Sequence, residues 1–553
     1  MAILSSTLAV SSAQFASDAG ATLALLERVR AIEKRAHDRS AASRERFEQR
    51  GQLLPRERVG LLLDPGASFL ELCSLAGYCR DKPDPDRSVA GAGLIAGIGM
   101  VSGVRCVVVA SDAGIDAGAL QPVGLDKLLR LQEIALESRL PYLQLLESAG
   151  ANLLDYRVED FVRGGELFRN LARLSAAGLP VITVTHGSST AGGAYQTGLS
   201  DVIILVRDRS RVFLAGPPLL RAATGEIATE EDLGGALMHT TVSGLGDHLA
   251  EDDRDAIRIA REVVAALPDA FRPPDRRGTA PGLVAAPEEA AVPTVDPPRY
   301  SAEELLGIIP ADGRRPVDMR EVIARIVDGS DFLPFSEGYG AATVCGHARL
   351  NGIAIGIISN NGPIDESGAS KAAHFIQVCC QSGTPIVYLV NTTGFMVGRQ
   401  VEQAGIVKHG SRMVQAVANA TVPQITITCG ASFGAGNYGM CGRGFAPRFH
   451  FSWPCARTAV MGAEQAAGTM RIVTEAAMRR KGQVDTERLD AMSRAIVERF
   501  ESQTSVFATS ALLLDDGVID PRDTRDVLAL VLSIVSEAEA RSPRPIQFSV
   551  ARS

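Results

Sequence analysis

The sequence predicts an α/β layered fold written twice, and three observations carry that expectation. Short apolar, β-branched runs lead straight into loops of small residues at 180–195 and again at 424–439. Pro180 precedes Gly193 by 13 residues, and Pro423 precedes Gly436 by the same 13. Further back, Pro141-Tyr-Leu-Gln-Leu-Leu matches Pro385-Ile-Val-Tyr-Leu-Val, with those prolines 39 and 38 residues before Pro180 and Pro423. Three landmarks at near-constant spacing indicate one domain repeated with a whole-domain period. Size agrees: 553 residues exceed what one hydrophobic core organises, so two domains of roughly 250 are expected.

Taken in order, residues 20–50 carry charges at helical spacing and predict a packing or surface helix. A short helix follows over 54–63 and is stopped by Pro65-Gly66. Leu94-Ile-Ala-Gly-Ile-Gly and Cys106-Val-Val-Val-Ala predict short strands, and 127–137 predicts a helix. Strand–helix alternation runs on to about residue 267, which argues a layered α/β domain over 1–275. Prolines then crowd together, and 276–298 reads as an extended linker. The second domain is expected over 299–553, closing in helices that include 523–539.

Composition narrows the function classes. A net charge of −8 gives no electrostatic reason to expect nucleic acid or an anionic membrane as partner. No uncharged apolar stretch reaches spanning length, and no Lys or Arg precedes Arg28, so a cytoplasmic protein without a targeting segment is expected. The nine cysteines form no C-x-x-C pair and the histidines no H-x₃-H pair; free buried thiols and no metal are expected.

Two familiar motifs fall in the later loop, and neighbouring residues count against both. Gly430-Ala-Ser-Phe-Gly434 has the form of a nucleophile elbow, but no acid lies between Ser432 and His450, the one histidine downstream. Gly434-Ala-Gly-Asn-Tyr-Gly439 spells G-x-G-x-x-G, yet the first acid afterwards is Glu464, beyond Pro447 and Pro454. Of the scattered histidines, His409 in Val407-Lys-His-Gly is the candidate to lie near a site. The positive signal is main-chain amides. Gly192-Gly193-Ala194 and Gly434-Ala435-Gly436 leave N–H groups bare, and a helix starting there would aim unpaired amides at a ligand. That is how an oxyanion is held without a charged side chain. Two such loops suit a reaction passing between two enolate-like species.

Longer strings add to this: Lys371-Ala-Ala-His-Phe-Ile, Asn391-Thr-Thr-Gly-Phe-Met-Val-Gly398, Lys408-His-Gly and Ser432-Phe-Gly-Ala-Gly-Asn-Tyr-Gly-Met-Cys-Gly-Arg443. Trp453-Pro, Val460-Met-Gly-Ala-Glu-Gln-Ala-Ala467, Phe213-Leu-Ala-Gly-Pro-Pro-Leu and Asp232-Leu-Gly-Gly-Ala belong with them. Together they resemble the carboxyltransferase (β) subunit of biotin-dependent acyl-CoA carboxylases, closest to the branch acting on 3-methylcrotonyl-CoA and geranyl-CoA. The likeness runs from about Arg46 to Ile472.

The resemblance implies two tandem crotonase-like domains, each a β-β-α superhelix, related by internal duplication. It implies a ligase component that moves CO₂ from carboxybiotin to a branched 2-enoyl-CoA, geranyl-CoA or 3-methylcrotonyl-CoA. The acyl-CoA would lie on the N-terminal half of one subunit and biotin on the C-terminal half of a neighbour, within a β hexamer. Biotin would arrive on a separate α subunit carrying the biotin carboxylase and biotin carrier; no Ala-Met-Lys-Met or P-loop string occurs here, so none is expected to be attached to this chain. The ureido oxygen would be held by amides at Gly434, Ala435 and Gly436, with biotin itself as the base. The thioester enolate would be held at Gly150, Ala151, Gly192, Gly193 and Ala194. Ala149, Phe168, Tyr195, Lys371, Phe395, His409 and Tyr438 are implied as substrate-binding residues.

Departures fall in the acyl half. Ser148-Ala-Gly-Ala151 stands where the family has Ser-Gly-Gly-Ala, and Ile115-Asp-Ala-Gly118 where the methylcrotonyl enzymes carry Val-Lys-Gly-Gly. Residues 156–168 and Tyr195-Gln-Thr-Gly-Leu-Ser-Asp201 differ as well, so the acyl chain is left open, with geranyl-CoA slightly favoured. Alternatives are a propionyl- or acetyl-CoA carboxyltransferase, a biotin-dependent decarboxylase subunit running the half-reaction backwards, and a non-catalytic crotonase-like CoA-binding scaffold. An enoyl-CoA hydratase would need paired glutamates beside Gly192-Gly193-Ala194, and none stands there.

Overall fold

The computed structural model describes residues 2–80, 82–149, 157–273, 295–310, 315–480, 482 and 484–550. Two compact units emerge. The first combines Ala31–Glu288 with Ser533–Ser553, and the second combines Met1–Arg30 with Glu289–Leu532. Relative to the expected division into 1–275 and 299–553, the two ends of the chain change places. Hydrogen bonds account for the exchange: Leu4 N–H donates to Ser330 O in the second unit, and Ile546 N–H donates to Ala176 O in the first. The expected linker 276–298 lies outside the described residues except for 295–298.

In chain order the strands begin with β1 (Ala2–Ile3), β2 (Leu70–Glu71), β3 (Leu94–Val101), β4 (Val104–Ser111), β5 (Tyr142–Ser148), β6 (Val181–Thr190), β7 (Val202–Val206), β8 (Arg211–Phe213) and β9 (His248–Ala250). They continue with β10 (Asp331–Pro334), β11 (Thr343–Leu350), β12 (Ile353–Asn360), β13 (Ile386–Thr392), β14 (Gln424–Phe433), β15 (Phe449–Ser452) and β16 (Arg457–Ala459). The first unit's sheet runs β2-β3-β4-β5-β6-β7-β9, with β8 also on β6. The second runs β1-β10-β11-β12-β13-β14-β15, with β16 also on β14.

The order of pairing senses repeats between the units. A hairpin pair, β3–β4 or β11–β12, is antiparallel, and the strands that follow add parallel. Parallel neighbours need crossovers, supplied by helices Pro122–Glu137 and Val158–Ala176 in one unit and Glu366–Ser382 and Ile406–Ala418 in the other. Being covered on both faces, the central strands read as continuous Val/Ile/Leu runs rather than alternating ones. β5 and β6 are buried almost residue for residue. In the second unit Phe375, Ile376 and Met413 from the two helices pack on Tyr388 and Val390 of β13. Asp365 caps the first of these helices through the Gly368 N–H, and Gly383 at φ +66 ends it.

One irregularity recurs. Leu146 pairs with Thr185 but Ser148 with Ser189, so four steps along β6 face two along β5. Likewise Val390 pairs with Thr428 but Thr392 with Ser432. Each unit therefore carries a bulge immediately before its glycine turn. No helix among the described residues is long and apolar enough to cross a membrane.

Candidate active site

In the second unit β14 ends at Phe433, and Gly434 at φ +55 turns the chain. Its N–H donates to Ala459 O at 2.9 Å, which corrects the expectation for Gly434: pairing with β16 engages that amide, so the residue shapes the turn. Ala435 and Gly436 come next, at the start of helix Gly436–Gly439, and their amides meet no acceptor among the described residues. A Cβ at Gly436 would lie 2.8 Å from Gly394 Cα and 3.0 Å from Thr392 Cγ2, so only glycine lets the turn sit this close. Phe395 supports it from below: Cβ atoms at Gly410 and Gly439 would each lie 3.2 Å from its ring. Its ring joins helix Ile406–Ala418 to the turn by packing. Ser432 is buried and accepts from Asn437 Nδ2 at 2.9 Å, while His450 Nε2 meets Thr428 Oγ1 at 2.8 Å. Ser432 is therefore a tie within the turn.

The first unit repeats the arrangement with one difference. Ala191 occupies the place of Gly434, its N–H donating to Phe213 O at 3.1 Å. Its backbone sits at φ 51, ψ −112, a region that side chains with a Cβ avoid. Ala191→Gly is accordingly expected to stabilise the protein by about 1 kcal/mol, read as a raised midpoint in denaturant unfolding. An unchanged or lowered midpoint would contradict strain at this position.

Gly192 and Gly193 open helix Gly192–Gly198, and their amides too meet no acceptor among the described residues. A Cβ at Gly193 would lie 2.9 Å from Ser189 Oγ and 3.3 Å from Ser148 Cβ. Ala194 is buried behind them. Phe168 meets Tyr195 edge-on with ring centroids 5.9 Å apart. Tyr195 and Tyr438 stand 243 residues apart, the spacing of Pro180 and Pro423. They are 53% and 52% exposed, so each turn presents a tyrosine to solvent at the same place. Gly150 and Ala151 lie outside the described residues; Ala149, just before them, is exposed.

Beside this turn a narrow cavity of about 20 Å³, room for a water, is lined by Gly118, Leu120, Gln144, Ser148 and Gln196 among others. Asp116, Ala117 and Gly118 all have positive φ, a left-handed run of three. Asp116 is exposed and accepts from Gln121 Nε2 at 3.1 Å.

Lys371 and His409 occupy neighbouring helices but different surroundings. His409 Nδ1 meets Ser370 Oγ at 2.7 Å and the residue is half-buried. Lys371 is buried, its Nζ 3.4 Å from Ser336 O, and burial lowers its pKa. Lys127 stands 244 residues earlier, the spacing of Pro141 and Pro385. It too is buried, donating to Leu94 O at 2.8 Å, with its pKa lowered by burial. A lysine inside each repeat thus anchors a carbonyl near the sheet.

The residues that sequence reasoning did not single out form a buried charge cluster in the first unit. Arg58, 1% exposed, donates to Glu147 Oε2 and Asp253 Oδ2, each at 2.9 Å. His186 Nδ1 meets Asp253 Oδ1 at 2.7 Å, and Leu53 N–H reaches Asp253 Oδ2 at 2.8 Å. Burial would raise the Asp253 carboxyl, but His186 and Arg58 outweigh it and hold it well below the usual carboxylate range. Burial, then the Arg58 guanidinium, push the His186 imidazole down, against the pull of Asp253 beside it. A signal for part of this existed: Glu147 and Asn391 are 244 apart, and Gly187 and Gly430 243 apart.

Paired bare amides at a helix start, with glycine packing beneath them, suit an enzyme that stabilises negative oxygen through its main chain. The family model for the carboxyl transferase domain matches residues 46–547, and the chain belongs to that family. It is an enzyme of the carboxyltransferase class. Over 494 residues it is 48% identical to a probable biotin-dependent acyl-coenzyme A carboxylase beta2 subunit of Mycobacterium tuberculosis, covering 89% of each chain. It is 44% identical to the biotin-dependent 3-methylcrotonyl-coenzyme A carboxylase beta1 subunit of the same organism, covering 90% of this chain and 91% of that one. The crystal structure of the beta subunit of P. aeruginosa geranyl-CoA carboxylase superposes with a TM-score of 0.91 at 50% identity, covering 100% of both chains.

Proposed function

We infer that this enzyme is the carboxyltransferase (β) component of a biotin-dependent acyl-CoA carboxylase of the methylcrotonyl-CoA and geranyl-CoA group. Its acceptor is read as a branched 2-enoyl-CoA, with geranyl-CoA ahead of 3-methylcrotonyl-CoA; the full-length likeness to a geranyl-CoA carboxylase β subunit supports that order. The observation that carries the chemistry is the pair of bare-amide turns, Gly192-Gly193 and Ala435-Gly436.

Carboxybiotin, carried by a partner subunit, would supply the CO₂ and the base. The residues present fit such a group: the Ala435 and Gly436 amides are unpaired above a backbone that a Cβ at Gly436 would strike. This chain's part is to hold developing charge. Ala435 and Gly436 serve the biotin side; Gly192, Gly193 and Ala194, with Gly150 and Ala151, serve the thioester side. Ala149, Phe168 and Tyr195 are read as acyl-side contacts, and Lys371, His409 and Tyr438 as biotin-side ones, with Phe395 supporting the turn.

Each unit is read as a crotonase-like superhelix and the pair as an internal duplication, supported by the shared pairing order and the shared bulge. A homo-oligomer, in the family a hexamer, and a biotin-bearing α partner complete the reading. Nine cysteines outside any disulfide support a reducing compartment such as the cytoplasm. The test is a substrate panel with the reconstituted holoenzyme, comparing propionyl-, 3-methylcrotonyl- and geranyl-CoA. Turnover of a branched enoyl thioester is expected; turnover of propionyl-CoA alone would overturn the branch.

A further inference from the structure

We propose that Glu147 and Asn391 are positioning residues for the two amide turns, each fixing the bulge from which its turn springs. This rests on the carboxyltransferase reading but concerns residues outside the turns. Bulges re-aim the chain beside active sites, and an extra loop in one strand leaves backbone groups that need partners. In both units the midpoint residue of the shorter side reaches across the bulge. Glu147 lies over Gly187, where a Cβ would sit 2.7 Å from Glu147 Oε1. Asn391 lies over Gly430, where a Cβ would sit 2.5 Å from Asn391 Oδ1. Asn391 Oδ1 also accepts the Ala431 N–H at 3.1 Å, pairing a donor inside the bulge. Gly187 is five residues before Gly192, and Ala431 four before Ala435, so a shift at the bulge is transmitted along a short, extended stretch.

The two units use different chemistry for the same task. Glu147 is charged and is itself held by Arg58 at 2.9 Å, which Asp253 holds in turn. Asn391 is neutral, and Cys429 stands where the first unit has His186. Each turn can therefore be disturbed without touching the other.

The test measures hydrogen–deuterium exchange on the full-length chain, peptide by peptide. Glu147→Gln, which keeps the shape and removes the charge, is expected to speed exchange over 188–195 by about tenfold and leave 431–438 unchanged. Asn391→Ala is expected to do the reverse. In carboxyl exchange between a CoA thioester and free biotin, Glu147→Gln should lower kcat by about ten- to a hundredfold while the KM for biotin holds. Faster exchange spread evenly over both units, or none at either turn, would overturn the proposal, as would an unchanged kcat. A wild-type chain with no carboxyl exchange on any thioester would instead overturn the functional reading, and the deuterium measurement would still decide this one.

Discussion

Gly436→Ala is expected to slow carboxyl transfer by about 10²–10³, with the folded state largely kept. The added methyl would press on Gly394 Cα at 2.8 Å and Thr392 Cγ2 at 3.0 Å, both held in the sheet end beside it. Neither can yield easily, because Gly394 is backbone and Thr392 Oγ1 is bonded to Gly362 O at 3.2 Å. The turn must lift instead, carrying the Ala435 and Gly436 amides away from where the proposed reaction would develop negative oxygen. Displacing one such donor removes stabilisation that exists chiefly in the transition state, so kcat should fall more than KM rises. Steady-state kinetics with the biotin-bearing partner, alongside a thermal melt, separate this from unfolding. A variant that keeps near-native kcat would show that these amides do not hold the reacting oxygen.

Arg58→Met should be the most damaging substitution to stability, by about 3–5 kcal/mol. The side chain fills the same space, but Glu147 and Asp253 would then face each other in the core without a cation. Removing all three charges, as Arg58→Met with Glu147→Gln and Asp253→Asn, should recover much of the loss, since what is costly is a buried charge without a partner. The cluster also fixes a response to acid. The folded Asp253 carboxyl is depressed, so its contribution is full above the ordinary carboxylate pKa of about 4 and is lost as pH falls toward the folded value. Asp253→Asn should therefore flatten the decline in stability below about pH 4. Denaturant midpoints across that range would check the sign, and an equally steep decline in the variant would refute it.

The repeat was legible because proline and glycine leave fixed marks. Pro141, Pro180, Gly193 and their partners sit where a strand starts or a turn closes, and such places tolerate few alternatives. The bare amides of Gly192, Gly193, Ala435 and Gly436 were legible for the same reason. Gly434 was misjudged because a run of small residues does not say which N–H a later strand will take; β16, 23 residues on, was too short to read. Arg58, Glu147, His186 and Asp253 were missed because they join four separate places in the chain, and nothing local marks a charge as buried. Phe395, implied by the resemblance as a substrate contact, packs its ring where Cβ atoms at Gly410 and Gly439 would each lie 3.2 Å away, contacts made by glycines distant in the chain that no local pattern marks.

The exchange of chain ends has a bearing on how the molecule is made. The strand at residues 2–3 finds its neighbour only once residues 331–332 have been synthesised. The earlier-translated unit, in turn, lacks the Arg105–Glu537 ion pair, 2.9 Å, until the ribosome has almost finished. A gene cut in the proline-rich stretch would thus yield two fragments that are each missing a piece of themselves, and the halves should assemble properly only when supplied together.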